Sequence, residues 1–178
     1  MAGWQKAKAL RGFFIYLFTP LEVQFLSLSR LIMFEEDLQL GQKAEEYILA
    51  MLKKEFPTIK RVNGYQPDYD FIDNDGYTIE LKLDIRSKSS GNVGIEYKYK
   101  NKPSAISTSK AIEWIVIYYL PPYKWVYSRM KTNELKAFLK RNNKYLRKTN
   151  GGDSNMSSLI LIPIVTFSEE FGFTPLKT

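Results

Sequence analysis

The residues best suited to chemistry lie between Tyr65 and Ile85. Tyr65-Gln66-Pro67-Asp68-Tyr69-Asp70-Phe71 leads into Asp73-Asn74-Asp75-Gly76, a turn carrying the Asp-Gly hairpin signal. Tyr77–Ile85 then alternates strictly, with Tyr77, Ile79, Leu81 and Leu83 on one face and Thr78, Glu80, Lys82 and Asp84 on the other. Glu80 and Lys82 are two apart, so both side chains project from the same face. Asp70 falls on the preceding strand, Tyr69–Asp73, where cross-strand neighbours approach to about 5 Å. Asp68 is the other acid within reach. Two carboxylates and an ammonium therefore converge, while Leu81 anchors the strand from the opposite face and leaves its backbone carbonyl beside them. An alternating strand also describes ordinary solvated surface, so the neighbouring motifs have to decide.

Such a constellation suits phosphodiester hydrolysis. Mg²⁺ is commonly held by one or two carboxylates while retaining several waters. It polarises a phosphoryl oxygen and acidifies a bound water, and a lysine beside it orients that water and offsets charge on phosphorus. Composition removes most competing chemistries. The chain has no cysteine, which excludes disulfides, thiolate nucleophiles and Cys-type metal sites. It has no histidine, which excludes Ser–His–Asp and Cys–His catalysis and the HExxH site. A metal must then be held by oxygen, pointing to Mg²⁺, Mn²⁺ or Ca²⁺. The Asp73–Gly76 turn is not an EF-hand loop, because Phe71 and Lys82 stand where acids are needed. No P-loop is present, and Gly91-Asn92-Val93-Gly94 is not a dinucleotide fingerprint.

The elements that must position these residues follow from periodicity. Leu40, Ala44, Tyr47, Ile48, Met51 and Leu52 share a face of a helix over 35–56, ended by Pro57. After the hairpin come a polar loop over 86–92, a strand over 93–99, a short helix or helical turn over 103–113, a continuous apolar strand over 114–120 and an edge strand over 124–128. A very basic helix is expected over 132–148 and a last apolar strand over 159–165, with Pro163 suggesting an edge. Residues 1–32 read as a peripheral extension. Their apolar run is interrupted by Pro20 and Glu22, which makes a spanning helix a poor reading. Met33 stands just before the first well-patterned helix, so the domain is expected to occupy 33–178. At 178 residues, 44% hydrophobic and 25% charged, the chain suits one globular domain.

The same acids and their flanks resemble a known family. Gly41-Gln42-Lys43-Ala44-Glu45 on the first helix, Asp70, and Glu80-Leu81-Lys82 ten positions on resemble the PD-(D/E)XK nuclease superfamily. That superfamily includes type II restriction enzymes, archaeal Holliday-junction resolvases and many viral nucleases. Gly91-Asn92-Val93-Gly94-Ile95-Glu96-Tyr97, followed by Pro103-Ser104-Ala105-Ile106-Ser107-Thr108-Ser109-Lys110-Ala111-Ile112-Glu113-Trp114, is similar to the phage-borne branch. This chain departs from it at Ala105, where glycine is usual, and in the spacing of Glu113-Trp114. The resemblance spans roughly 35–120. It implies a restriction-endonuclease-like core: α/β, with a central mixed sheet of four to five strands flanked by helices. It favours Asp70 over Asp68, and implies that Asp70, Glu80 and the Leu81 carbonyl hold metal, that Lys82 positions water and that Glu45 assists the ion. The expected cofactor is Mg²⁺, with Mn²⁺ able to substitute. Junction resolvases act as symmetric dimers, so a homodimer is a further expectation.

Charge points to the partner. The net charge is +7, and between Arg129 and Lys148 eight basic residues face one acid, matching that whole excess. Lys136, Lys140, Arg141, Lys144 and Arg147 are therefore expected on phosphates, with Ser107, Thr108 and Lys110 at a helix start as a second phosphate contact. Tyr97, Tyr99 and Tyr123 are candidates for stacking on unpaired bases, and Glu96 is either a third acid near the metal or a surface partner. The expected function is a Mg²⁺-dependent DNA endonuclease in the cytoplasm (of the host, for a viral protein), acting on DNA that includes branched or junction forms, without stable membrane association. Two readings compete: a catalytically silent DNA-binding protein on the same fold, and a membrane-associated basic protein anchored by residues 1–32.

Overall fold

Most of the strand-like runs do become strands, but they divide between two sheets. The computed structural model describes residues 41–62, 68–152 and 155–176. The extension 1–32, Met33 and Leu40 lie outside the described residues. From Ala44 onward the chain forms one compact unit.

Helix α1 covers 41–55. Ile48 and Leu52 are fully buried, with Ala44, Met51 and Phe56 packed beside them. Tyr47 is exposed despite its place in the apolar period. Then follow β1 (Lys60–Arg61), β2 (Phe71–Ile72), β3 (Thr78–Leu83), a short α2 (Ser87–Ser90), β4 (Asn92–Tyr99), β5 (Lys102–Pro103) and a 3₁₀ turn (Ala105–Ser107). The second half is β6 (Glu113–Leu120), β7 (Lys124–Lys131), α3 (Thr132–Asn142), β8 (Arg147–Gly151), β9 (Ser157–Pro163), α4 (Ile164–Phe171) and β10 (Thr174–Pro175).

The first sheet has six strands in the order β1-β2-β3-β6-β7-β10. It is mixed: β3 and β6 are parallel, in register from Ile79↔Glu113 to Leu83↔Ile117, and the other pairs are antiparallel. The parallel pair requires a long crossover, and β4, β5 and the 3₁₀ turn lie within it. The second sheet is antiparallel, in the order β5-β4-β9-β8. One face of the first sheet, with Phe71, Ile79, Ile115 and Ile117, packs on α1. The other face, with Trp114, Val116, Tyr118, Val126 and Met130, shares a core with Val93, Ile95, Ile160 and Ile162 of the second sheet and with α3 and α4.

An α/β fold with a mixed sheet is therefore present, in larger form than the four to five strands expected. Two causes are physical. Strands β1 and β10 are two-residue pairings that leave no periodic trace, while the strand expected over Tyr69–Asp73 is realised only as β2, Phe71–Ile72. The apolar runs at β4 and β9 pair with each other over seven residue pairs instead of joining the central sheet.

Other elements differ locally. The basic helix expected over 132–148 stops at Asn142, and Arg147 and Lys148 sit on β8, paired with Leu161 and Ile160. The Asn142-Asn143 pair is a weak helix former, and sheet pairing decides the rest. The short helix or helical turn expected over 103–113 is present as the 3₁₀ turn, between a β5 residue and an irregular approach to β6. The strand expected at 124–128 runs to Lys131 and is interior, flanked by β6 and β10. β9 is also interior, between β4 and β8, with Pro163 as its final residue. The loop over 86–92 contains the turn α2, and α4 had no counterpart in the sequence reading.

Candidate active site

The site forms where β2 leaves β3. Their ladder covers only Phe71↔Ile79 and Ile72↔Thr78. The Asp70 N–H still donates to the Ile79 carbonyl (2.9 Å), but the next contact is made by its side chain, whose Oδ2 accepts the Leu81 N–H at 2.7 Å. A carboxylate thus replaces a strand partner along the edge of β3. Neighbouring strand residues turn their backbone groups to opposite edges. The Asp84 N–H donates toward β6, to the Ile117 carbonyl (2.9 Å). Leu81, of the other parity, therefore turns its carbonyl, like its N–H, toward Asp70.

Side chains follow the same alternation. Ile79 is fully buried against α1, with Leu81 and Leu83 packed on that cluster. Glu80 and Lys82 project from the opposite face, in register with Trp114 and Val116 of β6. Glu80 and Lys82 thus flank Leu81, and Asp70 reaches its backbone from the side.

Crowding and burial set the electrostatics of these acids. Burial, reinforced by the charges of Asp70 and Asp68 and opposed by Lys82, pushes the Glu80 carboxyl up to about 8. Burial also raises Asp70, against the Leu81 N–H and the Arg61 charge. Glu45 is raised by burial too, with Arg61 opposing and Asp70 adding. Its Oε2 lies 2.6 Å from the Arg61 Nη2, yet that buried oxygen receives no well-aimed hydrogen bond. Glu80 in particular is short of compensating positive charge, which is what a bound cation supplies.

The donors are of the oxygen type that hard cations such as Mg²⁺ take. The Asp70 carboxylate and the Leu81 carbonyl lie along one edge of β3, and the Glu80 carboxylate projects from the adjoining face. Among the described residues, no group of three or more acidic side chains is arranged to cage a metal. Glu45 is accordingly close enough to influence Asp70 but is engaged by Arg61.

The remaining candidates separate. Lys110 pairs with Asp68 at 3.1 Å, which ties the 108–112 segment to the acids. Ser107 donates to the Tyr97 carbonyl (2.8 Å) and Thr108 to the Ala105 carbonyl (3.4 Å), so both hydroxyls serve the turn locally. Glu96 accepts from Ser104 (2.6 Å) and Ser157 (2.5 Å), which links β4 to its neighbours and makes it a structural partner. Of the basic run, Arg129 is held by Glu113 and Glu55, Lys131 by Glu113 and Tyr77, and Arg141 by Glu170 at 2.7 Å. Lys136, Lys140, Lys144, Arg147 and Lys148 have no acidic partner among the described residues.

Two residues at the site went unrecognised in the sequence. Arg61 is brought to Glu45 and Asp70 by the β1–β2 pairing, for which no local pattern exists. Asp84 shares the face of Glu80 and Lys82, a placement the alternation did foretell. Its carboxylate accepts the Ser87 N–H (3.1 Å) and the Gly94 N–H (2.6 Å), pinning β3 to the second sheet.

No family model matches the chain, and no curated protein matches it. No helix among the described residues is long and apolar enough to cross a membrane.

Proposed function

We propose that the protein is a Mg²⁺-dependent deoxyribonuclease. The observation that carries this reading is the pair of half-buried carboxyls, Asp70 and Glu80, with the charge of Asp70 raising Glu80, beside the Leu81 carbonyl with Lys82 on the same strand face. Bound Mg²⁺ supplies Lewis acidity toward the phosphoryl oxygen and a water of lowered pKa. Asp70, Glu80 and the Leu81 carbonyl would hold the ion, with Glu80 in its ionised form. Lys82 orients the attacking water and faces the charge that develops on phosphorus. Glu45 and Arg61 form a second layer, keeping a balanced charge next to Asp70. The Lys136–Lys148 region supplies phosphate contacts, and a symmetric dimer would present two such sites to branched DNA.

The test is a cleavage panel of junction, flap, duplex and single-stranded DNA with Mg²⁺, Mn²⁺ or EDTA. Cleavage is expected with either metal and none in EDTA. Asp70→Ala, Glu80→Ala and Lys82→Ala should each lower the rate by at least about 100-fold with DNA affinity retained. Full activity in the Glu80 or Lys82 variant refutes the assignment. DNA binding with no metal-dependent cutting on any form would instead favour a silent DNA-binding protein.

A further inference from the structure

A cleft of 430 Å³ opens between α3, the 3₁₀ turn and the second sheet. Its construction is two-part. Ile106, Leu139 and Ile160 are buried and form an apolar floor with the Tyr97 ring. Lys136, Lys140 and Lys148 are exposed around the rim. None of the three has an acidic partner among the described residues. Lys148 and Lys98 lie over the Tyr97 ring at 5.9 and 5.8 Å from its centroid, so positive charge is concentrated where the aromatic surface is.

We infer that this cleft receives an unpaired nucleotide, its base against the Tyr97 ring and the apolar floor and its phosphates on the rim lysines. A concave apolar floor is out of reach of bases stacked inside a duplex, whose outer surface offers phosphates and groove edges. Lysines alone would suffice for duplex phosphates. An aromatic and aliphatic floor ringed by cations suits a flat base attached to an anion, and stacking of this kind tolerates any base. The volume falls toward the lower end of the roughly 300–1,000 Å³ typical of small-ligand sites, which fits one nucleotide and not a helix.

The cleft is also connected to the acids. Lys136 lines both this cleft and an adjoining one formed with Lys110, Ile112, Lys131, Thr132 and Asn133. Lys110 pairs with Asp68, whose charge acts on Glu80. A strand following the lysines from Lys148 to Lys110 is led to the carboxylates. The substrate of the site is thus DNA with a single-stranded stretch beside the cut, such as a flap or an opened branch, in preference to continuous duplex. This connection to cleavage rests on the nuclease reading; the binding itself does not.

The experiment measures full-chain binding in EDTA by fluorescence anisotropy, using labelled oligo-dT and a blunt duplex of equal length over a range of salt. The wild type is expected to bind oligo-dT more tightly than duplex. Tyr97→Leu should weaken oligo-dT binding by about tenfold with duplex affinity unchanged, while Tyr97→Phe keeps it. Since Tyr97 is partly buried, Lys140→Ala/Lys148→Ala provides a surface variant, which should reduce the log–log salt slope for oligo-dT by about 1.4. Equal losses on duplex and oligo-dT, or no effect of any variant on oligo-dT, overturn the inference. Mg²⁺-dependent cutting of a flap with a single-stranded arm that is unchanged in Tyr97→Leu and in Lys140→Ala/Lys148→Ala would leave the nuclease reading standing and this one refuted. Oligo-dT binding at the cleft without any cutting would do the reverse.

Discussion

Replacing Glu80 by glutamine should make the metal-free protein more stable at alkaline pH while removing its activity. In the folded chain the Glu80 carboxyl is raised from 4.5 to about 8, chiefly by burial and then by Asp70. A group that holds its proton more tightly when folded contributes stability that is complete below about 4.5 and lost as pH rises through about 8. At about 1.36 kcal/mol per pH unit, the full interval corresponds to roughly 5 kcal/mol. Glu80 keeps partial contact with solvent, so screening reduces the expected effect to about 2–4 kcal/mol. Glutamine has no proton to lose and escapes this penalty. The assay is urea unfolding in EDTA at pH 5.5 and pH 9 for wild type and Glu80→Gln. The variant's advantage should grow by about 1.5–3 kcal/mol between the two pH values, because the first unit of the loss above 4.5 is already incurred at pH 5.5. Adding Mg²⁺ at pH 8 should stabilise wild type, by about 2.7 kcal/mol at 100 times its dissociation constant, and leave Glu80→Gln unmoved. A wild-type-to-variant difference that is the same at both pH values, within about 0.5 kcal/mol, would refute the placement of Glu80 among buried acids.

Two other substitutions probe the surroundings. Arg61 opposes the upward shifts of both Glu45 and Asp70, so Arg61→Ala should let those carboxyls keep protons to higher pH. The acid limb of the pH–rate profile should then move upward, and an unmoved limb would exclude Arg61 from the site. Glu113 has a side chain only 6% exposed and is bound to Arg129, Lys131 and Tyr77. Glu113→Ala leaves the half-buried Arg129 with Glu55 alone and should cost about 3 kcal/mol, seen as a fall in Tm of roughly 6–12 °C.

Much of the site was legible because it depends on strand alternation and one hairpin. Those two features are enough to put Glu80 and Lys82 on one face, bury Ile79 on the other, and bring Asp70 alongside. The zero counts of histidine and cysteine likewise restrict any metal to oxygen donors without reference to shape. The charge of the Arg129–Lys148 run was equally visible, but its distribution was not. Arg129, Lys131 and Arg141 turn out to be neutralised by Glu113, Glu55 and Glu170, residues 16 to 74 positions away. Arg147 and Lys148 moved from an expected helix to β8 because β9 was there to pair with them. Backbone and side-chain periodicity are local properties, fixed within a few residues, and the chain alone determined them: the hairpin, the shared face and the oxygen-only chemistry. Which strands pair, which lysines find acids and how deeply Glu80 is buried depend on segments far apart in the chain. Only the packed tertiary structure decided the second sheet, the Arg61 contact and the lysine-rimmed cleft over Tyr97, because burial and long-range pairing exist only once those segments meet.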